Sequence, residues 1–167
     1  KRLLFGPIPV AGALIVGGIL MLVIERLLAK RTTKPIEHLE EVDAKRGFLI
    51  GLAQCVSLWP GASRAMCTIV GGQLCGLSTA TAAEFSFLLA LPVLGAATVL
   101  DLYKGGRELV ATGSAKAALA IGFLVSFLVA WLVIGLFLRF LRRRGLEVFG
   151  WYRILLGGVV LAVLARP

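Results

Sequence analysis

Arg64 lies inside an apolar stretch, just after a Pro-Gly pair. An arginine in such a position costs about 2.5–3.5 kcal/mol on membrane-insertion scales, so it usually faces a cavity and pairs with another group. Its planar fork of donors suits a carboxylate or a phosphate. Ser63 and Thr68 add hydroxyl donors, and Gly61 adds a turn whose backbone amides can face an anion. These residues predict an anion site; the alternative is an arginine satisfied by backbone carbonyls or a neighbouring carboxylate.

The other polar residues carry weaker signals. Gln54 either binds a substrate or ties helices together. Glu84 fits a carboxylate in the first turn of a helix better than a catalytic group. Asp101 is expected at the membrane interface, and His38, in a charged segment, is expected to be solvated. The sequence near Arg64 therefore offers no general base or nucleophile.

Composition indicates a membrane protein. Of the 167 residues, 59% are hydrophobic and 16% are charged, whereas soluble domains carry about a quarter charged residues. The net charge of +9 comes from basic residues between apolar runs, as in cytoplasmic loops that face anionic lipid. We expect membrane lipids as partners and no nucleic acid, since a basic, aromatic-interleaved face is missing. Small buried side chains are the expected role of the three cysteines, Cys55, Cys67 and Cys75.

The apolar runs predict an all-α integral membrane protein. Runs of about 20 residues can cross a hydrocarbon core about 30 Å thick. About four transmembrane helices and one re-entrant helix hairpin are expected. The predicted segments are a first span within 1–29, a cytoplasmic connector 30–46, the hairpin 47–77, and spans at about 82–103, 115–138 and 150–164.

The hairpin prediction depends on the break at Pro60-Gly61, which stops a helix. The flanks, about Gly47–Leu58 and Ala65–Leu77, have a dozen residues each and are too short to span alone. The alternative is one long, kinked spanning helix. With a hairpin, the basic connector and the Arg139–Arg144 cluster fall on the same side, which the positive-inside rule places in the cytoplasm.

A longer pattern surrounds the break, and its residues are Gly51, Gln54, Cys55, Leu58, Trp59, Pro60, Gly61, Ser63, Arg64 and Thr68. It resembles the second signature of the bacterial undecaprenyl-diphosphate phosphatases, the bacitracin-resistance proteins. The stretch Glu84–Pro92 and the following Asp101-Leu102-Tyr103 are similar to the same family. The sequence departs from it at Ala65-Met66, where the family has Ser-Gly, and so lacks one hydroxyl donor.

The resemblance implies two inverted repeats, each with a re-entrant hairpin and three spans. Residues 1–29 would then be the last span of the first repeat and residues 47–167 the second repeat. The other family signature, Glu-x-x-x-Glu followed by Ser-Ser and His, is expected in an N-terminal portion outside this chain. By resemblance, Arg64 is catalytic and binds the diphosphate together with Gly61, Ser63, Thr68 and, more weakly, Gln54.

The implied reaction is hydrolysis of undecaprenyl diphosphate to undecaprenyl phosphate and inorganic phosphate. It would recycle the lipid carrier of peptidoglycan synthesis and confer bacitracin resistance, in the bacterial plasma membrane, at a site open to the periplasm. The resemblance also implies a divalent cation (Mg or Ca) with ligands outside this chain. Bacitracin is expected to compete with the enzyme for the polyprenyl diphosphate, and a second copy of the chain is a candidate partner in a homodimer. The alternatives are a lipid-carrier transporter or flippase, or a non-catalytic half-protein.

Overall fold

The computed structural model describes residues 6–109 and 113–164, and within these ranges the chain is all-helical, without strands. Four helices are long and apolar enough to cross a membrane: α1, α4, α5 and α6. The all-α prediction is confirmed, and the number of candidate membrane-spanning helices agrees with the expected four. The helices are α1 Pro7–Ala29, α2 Ala44–Gln54, α3 Arg64–Leu74, α4 Thr79–Leu109, α5 Gly113–Arg144 and α6 Glu147–Leu164, with short 3-10 helices at Leu39–Glu41 and Cys55–Leu58.

The long helices extend beyond the predicted apolar spans. The span predicted at 82–103 begins at Thr79 and continues to Leu109, and the span predicted at 115–138 continues to Arg144. Backbone hydrogen bonding continues into polar sequence, so hydropathy does not set a helix end. The Ser78 hydroxyl accepts a hydrogen bond from the Thr81 amide at 3.1 Å and caps α4, which begins at Thr79, three residues before the predicted start.

The earlier start of α4 changes the position of Glu84. The helix has no acidic residue in its first turn, so the first-turn prediction for Glu84 is wrong. Its carboxylate instead accepts a hydrogen bond from Arg142 of α5 at 2.8 Å. The pair joins the beginning of α4 to the end of α5.

Helices α2 and α3 form a helical hairpin. Each has eleven residues and is about 16 Å long, too short to cross a bilayer. A Cβ placed on Gly71 of α3 would lie 2.7 Å from the Ala53 side chain of α2. At the open end, the Arg46 guanidinium donates to the Cys75 carbonyl at 3.3 Å. The two helices are therefore antiparallel, while their re-entrance into a bilayer stays a prediction.

A network of polar contacts joins the helix ends on one side of the molecule. We name this side the connector end: connector 30–46, the C-terminal ends of α1 and α3, and the N-terminal ends of α2, α4 and α6. Ile36 in the connector exchanges backbone hydrogen bonds with Gly76 and Ser78, both at 2.9 Å. The hairpin therefore begins and ends beside the connector, and its turn lies far along α1.

Gln73 and Glu25 form the buried part of this network. Gln73, only 1% exposed, donates to a Glu25 carboxylate oxygen and to the Thr79 hydroxyl, both at 2.9 Å. The other Glu25 oxygen accepts from the Leu146 amide at 3.3 Å. One carboxylate thus links α1 to α3 and to the segment that begins α6.

Helices α1 and α6 pack closely through glycines. A Cβ on Gly18 would lie 2.7 Å from the Gly150 carbonyl oxygen, and one on Gly157 would lie 2.9 Å from the Ala11 carbonyl oxygen. Small residues allow backbones to approach in this way inside membranes. These contacts make α1 and α6 antiparallel neighbours.

The three cysteines have different environments. Cys67 is buried, Cys75 is half-buried and Cys55 is exposed, and all three are free thiols. The prediction of buried side chains is confirmed for Cys67 and wrong for Cys55. Cys55 follows the last residue of α2, where the hairpin narrows into its turn.

Candidate functional site

The start of α3 is built by a local capping interaction. Ser63 has extended backbone angles, and its hydroxyl oxygen accepts a hydrogen bond from the Met66 amide at 3.3 Å. This is the usual role of serine at a helix N-cap. Arg64 is then the first residue of α3, where free backbone amides and the helix dipole favour an anion.

A cavity of about 230 Å³ lies beside Arg64, between the hairpin and helices α4 and α5. Three of the five predicted site residues line it: Gln54, Arg64 and Thr68. The Arg64 Nε is buried and has no hydrogen-bond partner. Both described ion pairs involve other arginines, Arg46 and Arg142. The cavity therefore contains a buried guanidinium donor that the described protein groups leave unsatisfied.

Thr68 meets a second hydroxyl in this cavity. It is 2% exposed, and its Oγ1 lies 3.0 Å from the Arg64 carbonyl oxygen and 2.5 Å from the Ser86 Oγ. A hydroxyl has one proton, so donation to the Arg64 carbonyl leaves Thr68 to accept from Ser86. Sequence reasoning did not select Ser86, although it lies in the Glu84–Pro92 stretch that resembles the family.

The observed contacts of Gly61 involve its shape and its carbonyl. Its φ of +90° is a conformation that favours glycine. A Cβ on Gly61 would lie 2.7 Å from the Val10 carbonyl oxygen of α1. The Gly61 carbonyl accepts a hydrogen bond from the Arg153 Nη2 at 2.8 Å. Gly61 thus allows the turn to pack closely against α1 and to accept a hydrogen bond from α6. Donation from its amide to an anion stays a prediction.

Sequence reasoning missed Arg153. It is the seventh residue of α6 and is only 8% exposed. The signal was available, because an arginine within the apolar run 150–164 presents the same problem as Arg64. Glycine makes room for it: a Cβ on Gly17 of α1 would lie 2.9 Å from the Arg153 Nη2.

The remaining predicted residues lie away from the cavity. Asp101 and His38 are exposed, which confirms the prediction for His38. The carboxylate of Glu84 belongs to the ion pair with Arg142. In the described part of the chain, no three His, Cys, Asp or Glu residues come together as a candidate metal site. The polar side chains in the cavity wall beside Arg64 are Gln54, Thr68 and Ser86; none is a carboxylate, so these residues do not fit a divalent cation.

Comparison with known proteins shows the family. The family model described as "Bacitracin resistance protein BacA" matches residues 1–159 of the sequence. A protein from Sorangium cellulosum named undecaprenyl-diphosphatase is 61% identical over 161 residues, which cover 96% of this chain and 52% of that protein. Relatives with the same name come from Thermoanaerobacter pseudethanolicus (46% identical, covering 98% of this chain and 59% of that protein) and Nitrosospira multiformis (47%, 96% and 57%).

The chain thus spans between half and three fifths of the length of these relatives. Nearly all of it aligns with each of them, from α1 to α6. The chain belongs to the bacitracin resistance protein BacA family.

Proposed function

We propose that this protein acts as an undecaprenyl-diphosphatase and hydrolyses undecaprenyl diphosphate to undecaprenyl phosphate and inorganic phosphate. The observation that carries the proposal is the buried, unpartnered Nε of Arg64 at a cavity beside the N-terminus of α3. The relatives' name, undecaprenyl-diphosphatase, supports the same chemistry. Recycling of the lipid carrier for peptidoglycan synthesis and resistance to bacitracin, which competes for the same lipid, would follow.

Arg64 is the proposed catalytic residue. Its guanidinium holds the diphosphate and stabilises the charge that grows on the phosphoryl oxygens as water adds to phosphorus and the P–O–P bridge breaks. The amides at the start of α3 favour the same anion. Ser63, Thr68 and Gln54 are proposed as further donors to phosphate oxygens. For Thr68 this requires a change of partner, because its hydroxyl already bonds within the protein.

The polyprenyl chain has a suitable path next to this cavity. An apolar groove of about 640 Å³ runs between α4 and α5. It shares Phe87, Ala90 and Leu94 with the wall of the Arg64 cavity. A ligand with its anionic head at Arg64 can therefore place its isoprenoid chain in the groove and on into lipid.

The proposed location is the bacterial plasma membrane, with the connector end in the cytoplasm. Connector residues 37–40 line the same pocket as Arg142 and Arg143 of the Arg139–Arg144 cluster, so both basic segments lie on that side, as the positive-inside rule favours. The site would open to the periplasm. We also propose a divalent cation (Mg²⁺ or Ca²⁺) with ligands outside this chain, and a homodimer.

The test is phosphate release from a C55 diphosphate by the complete gene product purified in detergent. We expect Arg64→Ala to lower kcat/KM by about 10²–10³, the usual effect of removing one donor to a transition-state oxyanion. The matched control is Arg142→Ala, which removes an arginine paired with Glu84 away from the cavity; its kcat/KM should stay within about twofold of the parent.

Unimpaired release by Arg64→Ala would contradict the assignment of the site. If the folded parent released no phosphate, the hydrolase proposal itself would be wrong. Movement of the labelled carrier between vesicle leaflets would then be measured as the test of a transporter.

A further inference from the structure

The hairpin turn, residues 59–63, is held by few polar contacts. At the connector end, the open end of the hairpin is tied to the connector and to α1 by several hydrogen bonds. The turn meets α1 at Val10, fifteen residues before Glu25 and thus about 22 Å from that network. Among the described side-chain hydrogen bonds, Arg153 to Gly61 is the one that joins the turn to another helix.

Arg153 is placed so that it can do little else. It is 8% exposed, its Nη2 donates to the Gly61 carbonyl at 2.8 Å, and its Nε is buried without a partner. The guanidinium crosses α1 at Gly17, where a Cβ would lie 3.3 Å from the Nε. A hydrogen bond from a charged donor is stronger than a neutral one, and more so where water is excluded.

The hydrogen bond from Arg153 to Gly61 lies three residues before Arg64, the proposed catalytic residue. Gly61 precedes Ser63, the N-cap of α3, by two residues, and Arg64 follows at once. Any movement of the turn therefore moves the capping hydroxyl and the guanidinium together. Displacement of a catalytic group by about 1 Å can lower a rate about 100-fold.

We propose that Arg153 is a positioning residue, which holds the Gly61 carbonyl so that Arg64 meets the diphosphate in the correct geometry. This inference rests on the proposed function of Arg64. Arg153 does not touch the substrate; it acts through the turn. The two arginines of this apolar environment thus have different roles: Arg64 binds substrate, and Arg153 sets the position of Arg64.

The experiment compares variants of the complete gene product in phosphate release from a C55 diphosphate. Arg153→Leu replaces the guanidinium with an apolar side chain that suits α6, and it should lower kcat/KM about 100-fold. Arg153→Lys keeps a charged donor and should recover kcat/KM to within about tenfold of the parent. The matched control is Gln73→Leu, which replaces another buried polar side chain, at the connector end; it should lower Tm and leave kcat/KM within about twofold.

A double variant distinguishes positioning from general stability. If Arg153 acts through Arg64, adding Arg153→Leu to Arg64→Ala should lower kcat/KM by less than about threefold, since residues in one network are not additive. A further 100-fold loss in that background would overturn the proposal. So would parental kinetics in Arg153→Leu, or an equal kinetic loss in Gln73→Leu.

Binding of farnesyl methylenediphosphonate, which cannot be hydrolysed between its phosphorus atoms, separates failure of this inference from failure of the proposed function. A parent that neither hydrolyses nor binds a diphosphate would remove the proposed function, and the positioning role with it. A parent that binds the probe, together with an Arg153→Leu variant that binds it equally well, would refute the positioning role alone. At least tenfold weaker binding by Arg153→Leu supports it, even without turnover.

Discussion

Gly61 and Gly76 provide a matched pair for testing how closely the hairpin turn packs. Both have positive φ angles, +90° for Gly61 and +99° for Gly76. An alanine held in such a conformation loses about 1–2 kcal/mol relative to glycine. A Cβ on Gly76 meets nothing within 4 Å. We therefore expect Gly76→Ala to lower the free energy of unfolding by about 1–2 kcal/mol, from backbone strain alone.

Gly61→Ala adds a steric term to the same strain. Its Cβ would lie 2.7 Å from the Val10 carbonyl oxygen and 3.0 Å from the Ala13 Cβ. The first contact is with backbone, so the turn itself must move. Overpacking of this kind adds about 1–3 kcal/mol, which brings the expected loss to about 2–5 kcal/mol. The same movement carries the Gly61 carbonyl away from Arg153.

The measurement is urea unfolding in detergent micelles, followed by helical circular dichroism, together with phosphate release. Gly61→Ala should lose more stability than Gly76→Ala and should also lower kcat/KM at temperatures where both variants are folded. Equal losses of stability would refute the close contact between the turn and α1. An equal fall in kcat/KM for Gly76→Ala would show that activity follows overall stability and not the turn.

Two further predictions concern the groove and the cysteines. Gly95 and Gly12 both have open space for a side chain. Gly95→Phe fills the groove between α4 and α5, and it should raise KM about tenfold for a C55 diphosphate and leave KM for a C5 diphosphate unchanged. The control Gly12→Phe enters the separate groove between α1 and the hairpin and should change neither KM. An equal effect on both substrates would contradict the assigned path. Burial raises the pKa of the Cys75 thiol. In a Cys55→Ser variant, maleimide labelling of Cys75 should therefore be slow at pH 7 and reach half of its maximal rate only above pH 9, because the thiolate reacts. A half-maximal rate at or below pH 9 would contradict the raised pKa.

The hairpin and the position of Arg64 could be predicted from the sequence because their causes are local. Pro60 lacks an amide hydrogen and is followed by Gly61 with a positive φ, and together they end the helical run here. Pro92, which has no glycine after it, lies inside α4. Serine before Arg64 then caps the next helix. Such effects act within a few residues, so the pattern alone places Arg64 at the N-terminus of α3.

The partners of these residues could not be predicted, since they come from distant parts of the chain. Thr68 was expected to donate to an anion, yet its hydroxyl bonds within the protein and meets Ser86 from α4. Gly61 was expected to present amides, yet its carbonyl binds Arg153, 92 residues away. Spacing along one segment carries no information on which helix packs against it. For Arg153 the signal was present, and only its partner required the structure.

The close contact of α1 and α6 has a consequence for the response of the fold to temperature. In water, the stabilisation gained by burying apolar surface weakens on cooling, because the hydrophobic effect is largely entropic near room temperature. Two helices surrounded by lipid gain little from that effect, and their association depends on van der Waals packing of small residues. The approaches of Gly18 to Gly150 and of Gly157 to Ala11 are of this kind. The contacts that hold this helix pair therefore persist on cooling. A single methyl group added at one of these glycines is expected to destabilise the association of α1 and α6 more than a fall in temperature does.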